Sequence, residues 1–250
     1  MRHAEVRFYS ELNDFLPPSR RQQIIPYTFN GTPSIKDVIE ALGVPHAEVE
    51  VILVNGSSVD FSYRLAEGDQ VSVYPVFESL HISPILRLRD QPLRNIRFVL
   101  DGHLHRLAVY LRLLGFDSLW RQDFADQELA SISFSEKRVL LTRDIGLLKR
   151  KLIERGYWIR SVMPRDQIDE VLRRFDLFQS ARPFERCLRC NSIIERIRKE
   201  TVEERLKPEI RSYYSEFFEC PGCKRVYWKG PHYRKMKELV QSVLSTEGAL

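Results

Sequence analysis

The 250-residue sequence has only four cysteines, and none lies before residue 187. That argues against a disulfide framework of the kind that staples short secreted chains. No run of eighteen apolar residues occurs, so no membrane span is expected. The opening MRHAEVRFYS alternates like a strand and lacks the apolar core of a signal peptide. The expectation is a cytoplasmic protein with no membrane partner. Basic residues are scarce at the start. Residues 1–80 hold 6 Lys+Arg against 11 Asp+Glu, a net of −5, whereas residues 81–250 hold 33 against 23, a net of +10. One acidic module therefore precedes a basic one, and the basic one points to a polyanionic partner.

The first module, residues 1–80, has the order of a ubiquitin-like β-grasp domain. Val6–Phe8 alternates as a strand, and Ile24–Phe29 follows as its partner. Ser34 is the expected N-cap of a helix carrying Ile35, Val38, Ile39 and Leu42, with Gly43 at its end. Val51–Val54 is a third strand before an Asn55-Gly56 turn, and Val71–Tyr74 a fourth. The pattern is that of the sulfur-carrier branch of this fold. Carriers end in an exposed diglycine, and here Val76-Phe77-Glu78-Ser79 runs on instead. Carrier chemistry is thus not expected, and a docking role or a structural cap remains. Residues 81–95, with Pro84, Pro92 and the Arg-rich piece Leu86–Arg89, are expected to be a linker.

Beyond the linker, apolar strands alternate with helical patterns, which implies an α/β domain with a parallel sheet. Strands are expected over Ile96–Leu100, Ser118–Trp120, Arg138–Thr142 and Tyr157–Val162. Helices are expected from Leu104 to Gly115 and over Asp126–Ser133, Ile145–Arg155 and Gln167–Phe175. In such sheets ligands bind beyond the carboxyl ends of the strands. Asp101 and Asp144 follow two of those ends, Asp126 starts the helix between them, and Asp123 lies one turn earlier. Clustered carboxylates repel unless a cation neutralises them, and Mg²⁺ or Mn²⁺ favours oxygen ligands together with substrate phosphates. Such an ion activates water and stabilises a leaving oxygen in phosphodiester cleavage. An aspartate at a strand end also serves as a helix N-cap, and that reading stays open for each acid. Arg106, Arg112 and Arg143 are the candidate RNA contacts. Lys149 and Arg150 fit a solvated face, as do His103 and His105.

Cys187-x-x-Cys190 and Cys220-x-x-Cys223 are two knuckles separated by 29 residues. Four thiolates form a closed tetrahedral shell for a structural zinc ion. A redox dithiol or two disulfides would use the same residues, but nothing thioredoxin-like surrounds either pair. The intervening charged stretch Glu195–Glu209 is expected to form its own excursion. Arg186, Arg189, Lys224, Arg225, Tyr227 and Trp228 flank the knuckles with basic and aromatic side chains suited to RNA, or suited merely to packing.

These residues together resemble a known family. Phe98-Val99-Leu100-Asp101, Leu104-x-Arg106-Leu107-Ala108 and Leu111-Arg112-x-Leu114-Gly115-Phe116-Asp117 resemble the Mut-seven C-terminal RNase family. So do Asp123-x-x-Asp126-x-Glu128-Leu129, Leu141-Thr142-Arg143-Asp144, Arg186-Cys187-x-x-Cys190-Asn191 and Cys220-Pro221-x-Cys223-x-x-Val226-Tyr227-Trp228. The family pairs a PIN-like nuclease fold with a zinc ribbon, and its bacterial members often begin with a ubiquitin-like domain. The resemblance implies a PIN-like nuclease domain at 96–180, a zinc ribbon with a helical insertion at 181–240 and a tail at 241–250. It implies metal-dependent hydrolysis of RNA, tRNA or rRNA included, with Asp101, Asp126 and Asp144 as metal-binding acids and Asp123 as a further candidate. Where family members often carry Met-Leu-Gly, this chain has His103-Leu104-His105. Asp166 is the local candidate for a fourth acid. The competing expectation is a non-catalytic RNA- or ribosome-binding adaptor with a structural zinc. A protein partner would dock on the N-terminal domain.

Overall fold

A computed structural model describes residues 1–75 and 96–245. The expected linker 81–95 and the Val76–Ser79 stretch lie outside the described residues, as do the last five residues of the tail. The N-terminal part opens with β1 (Arg2–Phe8), β2 (Ile24–Phe29) and helix α1 (Ile35–Ala41). Then come β3 (Val49–Val54), β4 (Ser57–Val59) and β5 (Gln70–Pro75). The five strands form one sheet in the order β2-β1-β5-β3-β4. β1 and β5 run parallel, with Glu5 opposite Gln70 and Phe8 opposite Val73, while the other pairs are antiparallel. This is the β-grasp arrangement.

Alternation explains which side is buried. Ala4, Val6 and Phe8 of β1 are buried while Arg2, His3, Glu5 and Arg7 are exposed. They close on Ile35, Val38 and Ile39 of α1, all fully buried. Ser34 caps α1, its hydroxyl accepting from the Asp37 amide at 3.2 Å. Asn55 and Gly56 both take positive φ, 49° and 81°, the pair of angles a tight right-twisted hairpin needs. β4, the short return strand of that hairpin, was not expected, because three residues of Ser-Ser-Val carry too little apolar signal.

The rest of the chain contributes β6 (Phe98–Leu100), α2 (His105–Leu113) and β7 (Ser118–Trp120). Next are α3 (Asp126–Ser135), β8 (Val139–Thr142), α4 (Ile145–Leu148), β9 (Gly156–Trp158) and α5 (Pro164–Arg174). β10 (Glu195–Ile197), α6 (Pro208–Tyr213), β11 (Phe217–Glu219), β12 (Val226–Tyr227) and α7 (Pro231–Leu244) complete it. β6 pairs parallel with β7, and β8 parallel with β9. Every residue of β6 and β8 is buried, as strands covered on both faces must be. β10, β11 and β12 form a separate antiparallel sheet around the cysteines.

Of the expected elements that are shorter than their patterns, α4 and β9 are cut most. α4 stops after one turn because the Lys149 and Arg150 amides bond back to Gly146 and Leu147, tightening the helix end. β9 stops at Trp158 because the Arg160 and Ser161 amides donate, each at 2.9 Å, to the Glu170 carboxylate rather than to a neighbouring strand.

The chain packs as two compact units: Met1–Asn95 with Asp126–Trp158, and Ile96–Ala125 with Ile159–Leu250. Within the first, Trp158 ties the two pieces together. Its ring lies 5.3 Å from that of Phe15, and its amide donates to the Glu48 carboxylate. Lys149 Nζ donates to the Glu40 carbonyl at 3.1 Å. In the second unit α2 packs on α5. The turn after α2 passes close beneath the chain that leads to the cysteines. Gly115 has φ +93°, and a Cβ there would sit 2.2 Å from the Arg182 carbonyl oxygen. Gly115→Ala should therefore destabilise this unit by about 1–3 kcal/mol, measured by denaturant unfolding. Wild-type stability would show that the approach is not tight.

Candidate functional site

The first knuckle is shaped by backbone bonds. The Cys187 amide donates to Ser192 O at 2.8 Å and the Asn191 amide to Cys187 O at 2.9 Å. The second repeats the scheme, with Cys220 N donating to Arg225 O and Lys224 N to Cys220 O. In both, the residue after the second cysteine takes a positive φ, 72° at Asn191 and 59° at Lys224. That turn points both thiols of a pair the same way. The amides of Cys190 and Cys223 aim at the sulfurs of Cys187 and Cys220 at 3.5 and 3.4 Å.

All four sulfurs lie within 4.8 Å of one another, with Cys187 Sγ 3.5 Å from Cys223 Sγ and Cys190 Sγ 3.2 Å from Cys220 Sγ. The cysteines are free thiols, not disulfides. Cys187 and Cys220 are fully buried. Burial works against ionising Cys190, but hydrogen bonds with Ser192 and with the Cys220 and Cys187 sulfurs together outweigh it and bring the thiol down to about 6. Burial and then the neighbouring cysteines push Cys223 up to about 12. Four thiolates this close need a cation between them. Soft sulfur ligands in a closed set of four fit structural zinc.

The knuckle is also fastened to the turn after α2. Arg112, only 2% exposed, donates through Nε to Ser118 O at 2.9 Å. Its Nη1 donates to the carbonyls of Leu188 and Arg189, inside the first knuckle, at 3.2 and 3.0 Å. Asn191 accepts from the Ser118 amide at 3.0 Å and donates to Asp117 at 2.8 Å. Arg186 donates to Gly115 O and Asn191 O. The expectation that Arg112 touches RNA is thus corrected: its Nε and Nη1 donate to backbone carbonyls, and the side chain is almost wholly buried. An arginine on a helix reads as a surface cation, so nothing local betrayed the burial. The position of Asn191 directly after Cys190 was the available hint.

The acids are distributed over both units. Asp101 is half-buried directly after β6, at the start of the turn into α2. Asp123 is exposed and paired with Arg121 at 2.6 Å, which lowers its carboxyl below the usual range. Asp126 is the first residue of α3, and its carboxylate accepts from Arg150 at 2.9 Å. Asp144 caps α4, accepting from Gly146 N at 2.7 Å, while Thr142 Oγ1 holds the Asp144 amide at 2.9 Å. Thr142 is fully buried and fixes the entry to this cap, a role the sequence did not reveal. Among the described residues, the cysteines are the one group of three or more metal-ligating side chains with donor atoms all within 4.8 Å. The acids form no group that tight. Mg²⁺ keeps several waters and takes one or two carboxylates directly, so it does not require one. Arg106 and Arg143 are exposed, as are His103 and His105, the latter with its ring 4.2 Å from Trp120. Asp166 sits exposed in the first turn of α5.

These features define a class: a β-grasp domain ahead of an α/β region with parallel strands and a four-cysteine metal site. The chain belongs to the Mut7-C RNAse family, since residues 96–240 match the Mut7-C RNAse domain and residues 1–81 the Mut7-C ubiquitin domain. Among solved structures, small archaeal modifier protein 1 of H. volcanii is similar at 17% identity, over 30% of this chain and 98% of that one, with a TM-score of 0.25. No curated protein matches. No helix among the described residues is long and apolar enough to cross a membrane.

Cys220→Ser removes one of two buried ligands. The variant should lose its zinc, read by metal analysis, and amides over residues 186–228 should exchange faster, with those of residues 1–75 unchanged. Full zinc content in the variant would contradict a four-thiolate site.

Proposed function

We propose that the chain is a cytoplasmic, metal-dependent ribonuclease that hydrolyses RNA phosphodiester bonds. The observation that carries this reading is the ordered set of acids at strand and helix boundaries inside a domain of an RNase family. Asp101, Asp126 and Asp144 would hold Mg²⁺ or Mn²⁺, with Asp123 as a further candidate. When bound, that ion supplies charge neutralisation for the oxygens that gain charge in phosphoryl transfer. Arg143 and Arg106 would hold substrate phosphates by salt-sensitive contacts. The acidic β-grasp domain would dock a protein partner.

A second reading has its own support. Asp144 is engaged as a helix cap and Asp126 with Arg150, as they would be in a non-catalytic RNA-binding adaptor. Metal dependence separates the two. Asn is as good an N-cap as Asp, so Asp144→Asn keeps the cap and removes the charge. With Mn²⁺ or Mg²⁺ the wild type should shorten RNA and Asp144→Asn should do so about 100-fold or more slowly. Equal cutting by both proteins would sink the assignment. RNA that binds equally with and without metal and is never shortened would establish the adaptor.

A further inference from the structure

A cavity of about 290 Å³ lies beside the first zinc knuckle. Its walls include Phe184, Phe218, Tyr227, Trp228 and Tyr233, with Leu188 of the first knuckle and other aliphatic side chains. The six named side chains are half-buried, so their apolar faces are neither sealed into a core nor scattered on the surface. The rings are held in place. Phe184 and Tyr233 pack with centroids 4.6 Å apart. The Tyr227 hydroxyl is 3.0 Å from Cys187 Sγ. Trp228 folds over Gly230, where an added Cβ would come within 2.8 Å of the indole nitrogen.

The segment that supplies three of these rings carries charge of one sign. Residues 220–237 supply Tyr227, Trp228 and Tyr233 and hold six Lys+Arg with no Asp or Glu. Arg186 and Lys229 also line the cavity but are engaged, Arg186 with backbone carbonyls and Lys229 with Glu216 at 2.9 Å. Lys224, Arg225, Arg234, Lys235 and Lys237 of the same run are exposed.

We propose that this cavity takes one unpaired base of single-stranded RNA, while the surrounding cations hold its phosphates. A volume near the lower end of small-ligand sites, ~300–1,000 Å³, suits one planar ring system rather than a folded segment. Every base has a π-face, so aromatic walls bind without demanding a sequence, and the exposed cations of residues 220–237 would follow the backbone. A duplex keeps its bases stacked inside and offers no free face. The proposal rests on the RNA reading above and deepens it. The substrate would be engaged as a single strand by the zinc-bearing region, with chemistry elsewhere.

Binding of a fluorescent single-stranded RNA to the full-length, zinc-loaded protein, without added Mg²⁺ or Mn²⁺, tests this directly. Three ligands separate base from backbone: the intact strand, the same strand with abasic positions, and its duplex. The intact strand should bind about tenfold or more tightly than the abasic one. Trp228→Ala should erase that preference. If Trp228→Ala proves to have lost zinc, Tyr233→Ala on α7, away from the cysteines, serves in its place. Equal binding of intact and abasic strands, or unchanged preference in zinc-loaded variants, would overturn the pocket and leave it to a protein side chain. A protein that prefers intact strands yet never cuts RNA supports the pocket and removes the nuclease reading. One that cuts RNA without that preference does the reverse.

Discussion

The C-terminal unit depends on one buried guanidinium. Removing the charge of Arg112 from water is costly by several kcal/mol unless its donors are satisfied. Here three are, by the carbonyls of Ser118, Leu188 and Arg189. Two of those carbonyls belong to the first zinc knuckle and one to β7. The planar fork thus holds a helix, a strand end and a metal loop in one arrangement, which a lysine's single ammonium could not. Asn191 and Arg186 repeat the link, through the Ser118 amide and the Gly115 carbonyl. A zinc ion in the knuckles would then order more than its own loop. It would brace the turn after α2, the helix entered through Asp101.

The other unit is braced by different means. A β-grasp core needs no metal, since Ile35, Val38 and Ile39 of α1 and Val6, Phe8, Val71 and Val73 of the central β1–β5 pair are buried together. The segment Asp126–Trp158, which carries Asp126 and Asp144, packs with this domain through Trp158 and Lys149. The N-terminal domain consequently supports a part of the RNase-family region that bears two of the proposed metal acids. That gives it a structural task, whether or not it also docks a partner.

Much of this was legible in the residues. Alternation in β1, the Ser34 cap and the Asn55-Gly56 turn identified the β-grasp, because each is a local rule obeyed locally. Two CxxC pairs announced the metal site for the same reason. What stayed hidden was set by long-range bonds. Arg112 reads as an exposed helix cation until carbonyls 76 and 77 residues away claim it. The extent of β9 was decided by Glu170, on a following helix. The packing of Asp126–Trp158 with the N-terminal domain crosses a hundred residues of sequence, and no periodicity encodes that.

The most direct test of the account is the zinc affinity of Arg112→Lys, measured by competition with a chromophoric chelator. The variant keeps the charge and loses the fork. Outer groups that orient a metal loop are typically worth about 10–100-fold in affinity. A loss of that size, with faster exchange at the Ser118 amide, is the result predicted if Arg112 couples the knuckle to the nuclease-family helix. Wild-type zinc affinity with unaltered exchange would contradict it.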